Sequence, residues 1–166
     1  MRKAFSMIVQ YMQAITERYK AIGYTPYRWF QADDAPAWTP PAKRLADARI
    51  GVLSTSGAYA LGPVAYHYTD DTSIRSIASS TSPRDLRFSH VTENYLVGAR
   101  RDPECLLPLT ALRRLVADGF IGSLADQVFS CMGWVYSQRR VREEIAPALL
   151  AALREQKVDC ALLVAM

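Results

Sequence analysis

The chain has 166 residues and a net charge of +4, and half of its residues are hydrophobic. A chain of this length and composition can form a single domain with its own core, which excludes a disordered protein. The arginine pairs fall in or beside predicted helices and no groove-reading motif accompanies them, so we expect no nucleic-acid binding. Three widely spaced cysteines without a CxxC pair predict free thiols and no metal site.

The N-terminal segment has the pattern of an amphipathic helix. Apolar side chains recur at helical spacing over residues 4–22, and Gly23 is a suitable stop. Polar residues interrupt the segment, so it does not read as a signal peptide, and no run of about 20 apolar residues could span a membrane. We therefore expect a cytoplasmic protein without a membrane partner, whose first helix packs on its own domain. Docking of that helix on a membrane surface or a partner is the alternative.

Residues 24–44 predict an extended arm. The segment is rich in proline and aromatic residues, and proline removes backbone donors and restricts the residue before it. Regular structure is therefore not expected there, and the aromatic side chains would anchor the arm by burial. The arm could lie over its own domain or reach across to a second subunit.

The first clear strand covers residues 48–54 and leads into a small, hydroxyl-rich turn. Ligands of α/β proteins bind where strands end, and exposed amides and hydroxyls there can hold an anion. The turn therefore supplies our candidate substrate-binding residues: Ser54, Thr55, Ser56 and Gly57. It is neither a Walker loop nor a GxGxxG turn, and an ordinary strand-to-loop turn is the alternative.

The rest of the chain alternates strands with helices. We predict strands over 74–78, 85–90 and 127–131, a helix over 109–118, a long helix over 137–157 with a kink at Pro147, and an apolar strand over 159–166. This order predicts an α/β fold with βαβ units and a mostly parallel sheet. We expect one domain over residues 1–166, with the helix and arm preceding the sheet. The last strand has the composition of a central strand that is covered on both faces.

Several stretches in succession resemble the selenoprotein B family of glycine, sarcosine, betaine and D-proline reductases. They are the strand and turn at 45–57, the DTSIRSI element at 71–77, the LRFSH strand end at 86–90, the segment from Asp102-Pro103 to Gly119-Phe120-Ile121-Gly122, and the VDCALLV strand at 158–164. The resemblance covers residues 20–166.

The resemblance implies an oxidoreductase that cleaves a bond at the α-carbon of an amino acid or betaine-type substrate. In the family a selenocysteine, or a cysteine in its place, follows the last of these strands and attacks as an anion, and a nearby thiol resolves the adduct. We therefore expect the chain to be truncated at a selenocysteine codon after Met166. The 166 residues would then hold no cofactor and would be inactive in the redox step.

Within that reading His90 is the candidate general acid or base, with Ser89 beside it, because the pKa of an imidazole lies nearest to neutrality. A structural histidine bonded to the backbone is the alternative. Cys131 follows a strand and could act as a thiol, but we favour a buried structural cysteine there. The adjacent carboxylates Asp70 and Asp71 read as solvated or capping groups.

Two other functions remain open. The chain could be a non-catalytic small-molecule-binding protein or a subunit of a complex. It could also be a racemase or lyase that uses His90, but such an enzyme needs a second acid–base group opposite the histidine, and the sequence offers no clear one. The expected partners are an amino-acid-like substrate, a thioredoxin-like or selenoprotein partner, and further copies of the chain, because the arm and the last strand offer apolar surface.

Overall fold

The computed structural model describes residues 10–23, 31–37, 39–62, 65–67, 70–90 and 96–166. Their contacts divide the chain into two units, Met1–Thr39 and Pro40–Met166. Within the described ranges, no helix is both long and apolar enough to cross a membrane.

The first unit contains the predicted N-terminal helix, α1, over Tyr11–Ala21. Gly23 follows it with φ = +85°, a left-handed conformation that glycine adopts without strain, and its amide donates to the Lys20 carbonyl. Residues 31–37 form neither helix nor strand. The aromatic residues of the predicted arm lie outside the described residues: Tyr24, Tyr27, Trp29, Phe30 and Trp38.

The second unit has seven strands and four α-helices within the described residues. The strands are β1 (Arg49–Ser54), β2 (Ala58–Ala60), β3 (Arg75–Ala78), β4 (Leu86–Phe88), β5 (Ser123–Leu124), β6 (Gln127–Ser130) and β7 (Cys160–Val164). The helices are α2 (Leu96–Arg101), α3 (Leu109–Ala117), α4 (Gln138–Arg140) and α5 (Ala146–Glu155), with a π-helical turn, Val141–Ile145, joining the last two.

The main sheet is mixed and mostly parallel, and β1 lies inside it. Ile50 of β1 pairs with Leu124 of β5 and also with Cys160 of β7, so these two strands flank β1 on opposite sides. β6 continues the side of β5 and is also parallel to β1, whereas β3 runs antiparallel to β6. β2 and β4 form a separate antiparallel pair. The predicted α/β class with a mostly parallel sheet is therefore confirmed.

Apolar side chains pack on both faces of this sheet. Val52 and Val128 belong to one cluster, which includes Leu109 and Leu112 of α3. Phe129, the neighbour of Val128, belongs to a second cluster with side chains of the 138–155 helical region. Successive residues of a strand point to opposite faces, so the two clusters cover the two sides of β6. Such double coverage is typical of parallel sheets.

The predicted position of the last strand is corrected by the structure. Its apolar run suggested a central strand, but within the described residues β7 pairs only with β1. Leu162 and Leu163 are 39% and 68% exposed. Composition reports only that a strand is apolar, and the pairing partners decide whether it lies inside the sheet or at its edge.

The predicted helix over 137–157 is present but is not one regular α-helix. Its middle, Val141–Ile145, is a π-helical turn that ends just before Pro147. Proline has no N–H to donate to the carbonyl four residues earlier, so the regular ladder breaks at this place. The strand at 86–88 also departs from expectation, because it pairs with β2 instead of joining the main sheet.

We predict that Gly122→Ala destabilises the second unit. A Cβ at this position would lie 2.9 Å from the Ala48 carbonyl oxygen and 3.0 Å from the Ala46 carbonyl oxygen, and backbone cannot move aside cheaply. The free energy of unfolding should fall by about 1–3 kcal/mol, as for other overpacked sites. The matched control is Gly98→Ala in α2, where nothing lies within 4 Å of the added atom. It should raise the free energy of unfolding by roughly 0.5–1 kcal/mol. Equal effects of the two substitutions on the free energy of unfolding in urea would contradict the close packing of Gly122 against the backbone of residues 46–48.

Candidate functional site

The carboxyl ends of β1, β6 and β7 meet at one edge of the sheet. The strands are parallel, and the ladder continues past their ends, since Cys131 N donates to Ser54 O at 3.0 Å and Thr55 N donates to Val164 O at 3.0 Å. The turn at 54–57 therefore lies between the other two strand ends. We call this place the carboxyl edge: residues 54–57, 89–90, 130–134 and 166.

Three serines at the carboxyl edge are fully buried and satisfied within the protein. The hydroxyls of Ser54 and Ser56 lie 2.7 Å apart, and Ser54 Oγ also donates to the Leu106 carbonyl at 2.9 Å. Ser130 Oγ accepts from the amide of Ala58 at 2.8 Å. Buried hydroxyls without partners are costly, and these bonds remove that cost. As placed, Ser54 and Ser56 hold the turn together, while their predicted contact with substrate stays a prediction.

Gly57 joins the turn to two other segments. Its amide donates to the Cys131 carbonyl, and its carbonyl accepts from the Ser89 amide, both at 3.0 Å. Its φ is +64°, and a Cβ there would meet the Ser89 carbonyl oxygen. Only glycine allows this close approach of backbone to backbone. The structure thereby brings the predicted residues Gly57 and Ser89 together.

Thr55 and Met166 close the third side of the carboxyl edge. The Met166 amide donates to Thr55 Oγ1 at 3.0 Å. Gly133 faces the same point, because a Cβ on it would lie 2.8 Å from Thr55 O and 3.0 Å from Met166 O. Thr55 is only partly buried, and its hydroxyl keeps its own proton for a further acceptor. Ser54 and Ser56 are hydrogen-bonded to each other, so Thr55 is the predicted substrate-binding residue whose hydroxyl is not part of that pair.

His90 lies beside an aromatic pair at this edge. The ring of Trp134 stands at 79° to the His90 ring with 6.3 Å between centroids, and at 78° to the Tyr136 ring with 5.3 Å between centroids. Edge-to-face contacts of this kind stabilise aromatic groups. Ser89 Oγ donates to the Tyr66 carbonyl at 3.4 Å.

Tyr66 supports the end of β6 from outside the sheet. Its hydroxyl donates to Ser130 O at 2.6 Å, and the Arg75 guanidinium lies 4.4 Å from its ring centroid. Burial raises the pKa of Tyr66 well above its usual value, which keeps the hydroxyl a donor. Arg75 in turn donates to Ser73 Oγ at 2.7 Å.

Asp71 holds the loop that carries Tyr66. Its carboxylate accepts from the amides of His67 and Ser73 and from the Ser73 hydroxyl. Burial acts to raise the pKa of Asp71, but these hydrogen bonds outweigh it and hold the pKa below its ordinary value. Asp70 Oδ1 accepts from the Tyr136 amide at 2.6 Å. Both carboxylates therefore cap backbone groups, as their sequence suggested.

Cys131 lies at the carboxyl edge but is held as a neutral thiol. Its side chain is buried, and burial raises the pKa of Cys131 to about 11. The thiolate is the reactive form of cysteine, so Cys131 is a poor nucleophile near neutral pH. Cys105 is exposed, and Cys160 is partly buried at the opposite, amino end of β7. In the described part of the chain, no three His, Cys, Asp or Glu side chains cluster as metal ligands would.

Sequence reasoning missed Trp134, Tyr136 and Tyr66. The first two follow Gly133 directly after a strand end, which is the position that identified the Ser54–Gly57 turn. Tyr66 carried no such signal, because it comes from a loop distant along the chain from β6.

The chain is similar in sequence to a known reductase subunit. It is 31% identical to D-proline reductase subunit gamma of Acetoanaerobium sticklandii over 131 residues, which are 78% of this chain and 53% of that subunit. The chain thus spans about half the length of this relative. The similarity shows a distant relationship to the reductase family. No protein-family model matches the chain, and no solved structure matches it significantly.

We predict that Cys131 reacts with thiol reagents far more slowly than an exposed cysteine at pH 8. With a pKa of about 11, only about a thousandth of Cys131 is thiolate at that pH. The measurement is iodoacetamide alkylation of a C105S/C160S variant, which leaves Cys131 alone, compared with a C131S/C160S variant, which leaves Cys105. The Cys131 rate should rise about tenfold per pH unit up to pH 10. A plateau below pH 9 would contradict the burial of this thiol.

Proposed function

We propose that the chain is part of a reductase subunit that cleaves an amino acid of the D-proline class, or a betaine-type analogue, at its α-carbon. The proposal is supported by the distant relationship to D-proline reductase subunit gamma. One observation indicates where in the fold the reaction would take place. The Met166 amide is bonded to Thr55 Oγ1 beside Gly133, so the backbone leaves β7 at the carboxyl edge.

The direction of β7 determines where the next residues would lie. In parallel α/β sheets, working groups stand on loops just past the carboxyl ends of strands. Each added residue extends the chain by at most about 3.5 Å. A selenocysteine or cysteine within a few residues of Met166 would therefore come within reach of the turn, His90 and Trp134. We propose that the family's reactive residue follows Met166 in this way.

Such a residue would supply the reactive group that Cys131 does not offer at the carboxyl edge. Cys131 is the cysteine at the carboxyl edge, and its raised pKa keeps it protonated. The residue after Met166 would supply the nucleophile and, with a second thiol, the two electrons that reductive cleavage consumes. Cleavage also transfers protons, to the leaving amine and to the α-carbon. His90 is the group at this edge whose residue type suits such a transfer near neutral pH.

The described residues at the edge offer contacts for an amino-acid substrate. The hydroxyl proton of Thr55 is available to one carboxylate oxygen, because Thr55 Oγ1 acts as acceptor towards Met166. The ammonium or quaternary ammonium group of the substrate suits an aromatic face, and the partly buried Trp134, which contacts His90 and Tyr136, is the aromatic residue for this contact. Carboxylate and cation of one small molecule would then be held at the same strand ends.

A second candidate is a non-catalytic binding protein or complex subunit. It is favoured by the fully buried, satisfied hydroxyls of Ser54, Ser56 and Ser130 and by the neutral Cys131, which leave few reactive groups among the described residues. The relative's own name describes it as a subunit. Binding of substrate would be shared by both functions, and the presence of a reactive residue after Met166 separates them.

We predict that D-proline or glycine betaine binds the chain and that Trp134→Ala weakens this binding roughly tenfold. That loss corresponds to about 1.4 kcal/mol, within the range of a partly desolvated cation–π contact. Isothermal titration of each compound into both proteins is the measurement. The matched control is Phe120→Ala, which removes a 67% exposed aromatic ring at the amino end of β5. Failure of every compound to bind, or equal weakening by both substitutions, would contradict the site.

A further inference from the structure

A groove of about 700 Å³ lies apart from the carboxyl edge. It is formed by the β2–β4 pair, the turn before β4 and the segment at the end of α2, and it shares no residue with the edge. Its walls are Tyr59, Pro83, Arg84, Leu86, Arg87, Phe88, Arg100, Arg101 and Pro103. Neither the predicted substrate turn nor the reductase chemistry uses it.

Arginines dominate the described lining of the groove. Of its nine described lining residues, four are arginines and none is acidic. The two carboxylates that follow Arg101 along the chain are hydrogen-bonded to backbone amides. Asp102 accepts from the amide of Glu104, and Glu104 accepts from the amides of Thr110 and Ala111 at the start of α3. Asp85, which is exposed, directly follows Arg84 along the chain but is not among the described lining residues. Arg84 and Arg101 place two like charges on this groove, and an anion between them would be attracted by both.

The fold does not need all of these arginines. Arg87 donates to the carbonyls of Arg84 and Leu86, which holds it over the sheet. Arg100 and Arg101 occupy the last turn of α2, where a cation interacts favourably with the helix dipole. The helix dipole gives no such reason for Arg84, which lies in the turn before β4. No hydrogen bond or ion pair joins the side chains of Arg84 and Arg101 to other described residues.

The other walls of the groove are apolar and partly aromatic. Tyr59 pairs with Arg87 across the β2–β4 ladder, so the two side chains stand on the same face. Pro83 and Pro103 add apolar surface to the walls, whereas the side chains of Leu86 and Phe88 are buried in the core. A ring beside a row of guanidinium groups suits a ligand that has a flat apolar part and a charged part.

The size of the groove favours a small molecule over a protein surface. Ligand pockets span about 300–1,000 Å³, whereas a specific protein interface takes about 20–30 residues on each side. A diphosphate or triphosphate concentrates several charges in that space, and arginine forks match phosphate oxygens in pairs. We propose that this groove binds a small phosphate ester of several negative charges with a planar ring, of which nucleoside diphosphates and triphosphates are the type.

Binding of ADP, measured by isothermal titration, tests this groove. The variant is R84Q/R101Q, because neither side chain is bonded to other described residues and the fold should be retained. It should lose at least about tenfold in affinity per arginine, the effect of one charge-assisted hydrogen bond. The charge-matched control is R114Q/R154Q, two exposed arginines outside the groove, which should bind ADP as the unchanged chain does.

Two further probes identify the ligand chemistry. Tyr59→Ala should weaken ADP and leave inorganic pyrophosphate unchanged, because only ADP has a ring to place against the tyrosine. The proposal is overturned if neither phosphate probe binds, if the control double variant loses as much affinity as the groove variant, or if a glutamate-rich peptide binds more tightly than ADP. Substrate binding at the carboxyl edge is independent of each of these results.

Discussion

The hydrogen-bond ladders on both sides of β1 are the constraint on which the rest of the structure depends. Ile50 and Leu53 each pair with one residue from the β5–β6 side and one from β7. Because the flanking strands are parallel to β1, their carboxyl ends must arrive where β1 ends. The turn at 54–57, the segment after β6 and Met166 are thereby gathered into one place from three distant parts of the chain, which is what a small-molecule site in an α/β fold requires.

The polar groups at that place divide into two kinds. The hydroxyls of Ser54, Ser56 and Ser130 are buried and bonded internally, so they fix the backbone of the turn. Thr55 and His90 are only partly buried. A rigid inner layer that leaves a few outer groups for a ligand is the arrangement that preorganised sites show. The internal hydrogen bonds explain why the turn is rich in hydroxyl groups, whether or not substrate contacts each serine.

Much of the fold could be predicted from the sequence, because its signals are local. The helix at 109–117 and the strands at 49–54, 75–78 and 127–130 follow from apolar spacing and from glycine stops. Pairing is not local, and the apolar run of β7 therefore suggested a central strand, although within the described residues β7 pairs with β1 alone. The sequence also placed His90 at a strand end, which is a local property. It could not predict the contact between His90 and Trp134, because that contact depends on how distant segments meet. The buried state of Ser54 likewise depends on Leu106, a residue on a separate segment.

We propose that a reactive selenocysteine or cysteine that follows Met166 completes the carboxyl edge. Reading the coding DNA beyond the Met166 codon tests it most directly. We expect an in-frame TGA or a cysteine codon within a few codons, then a second cysteine codon and a continuing open frame. A stop codon with no open frame behind it would contradict the redox function, and the edge would then be the binding site of a non-catalytic subunit.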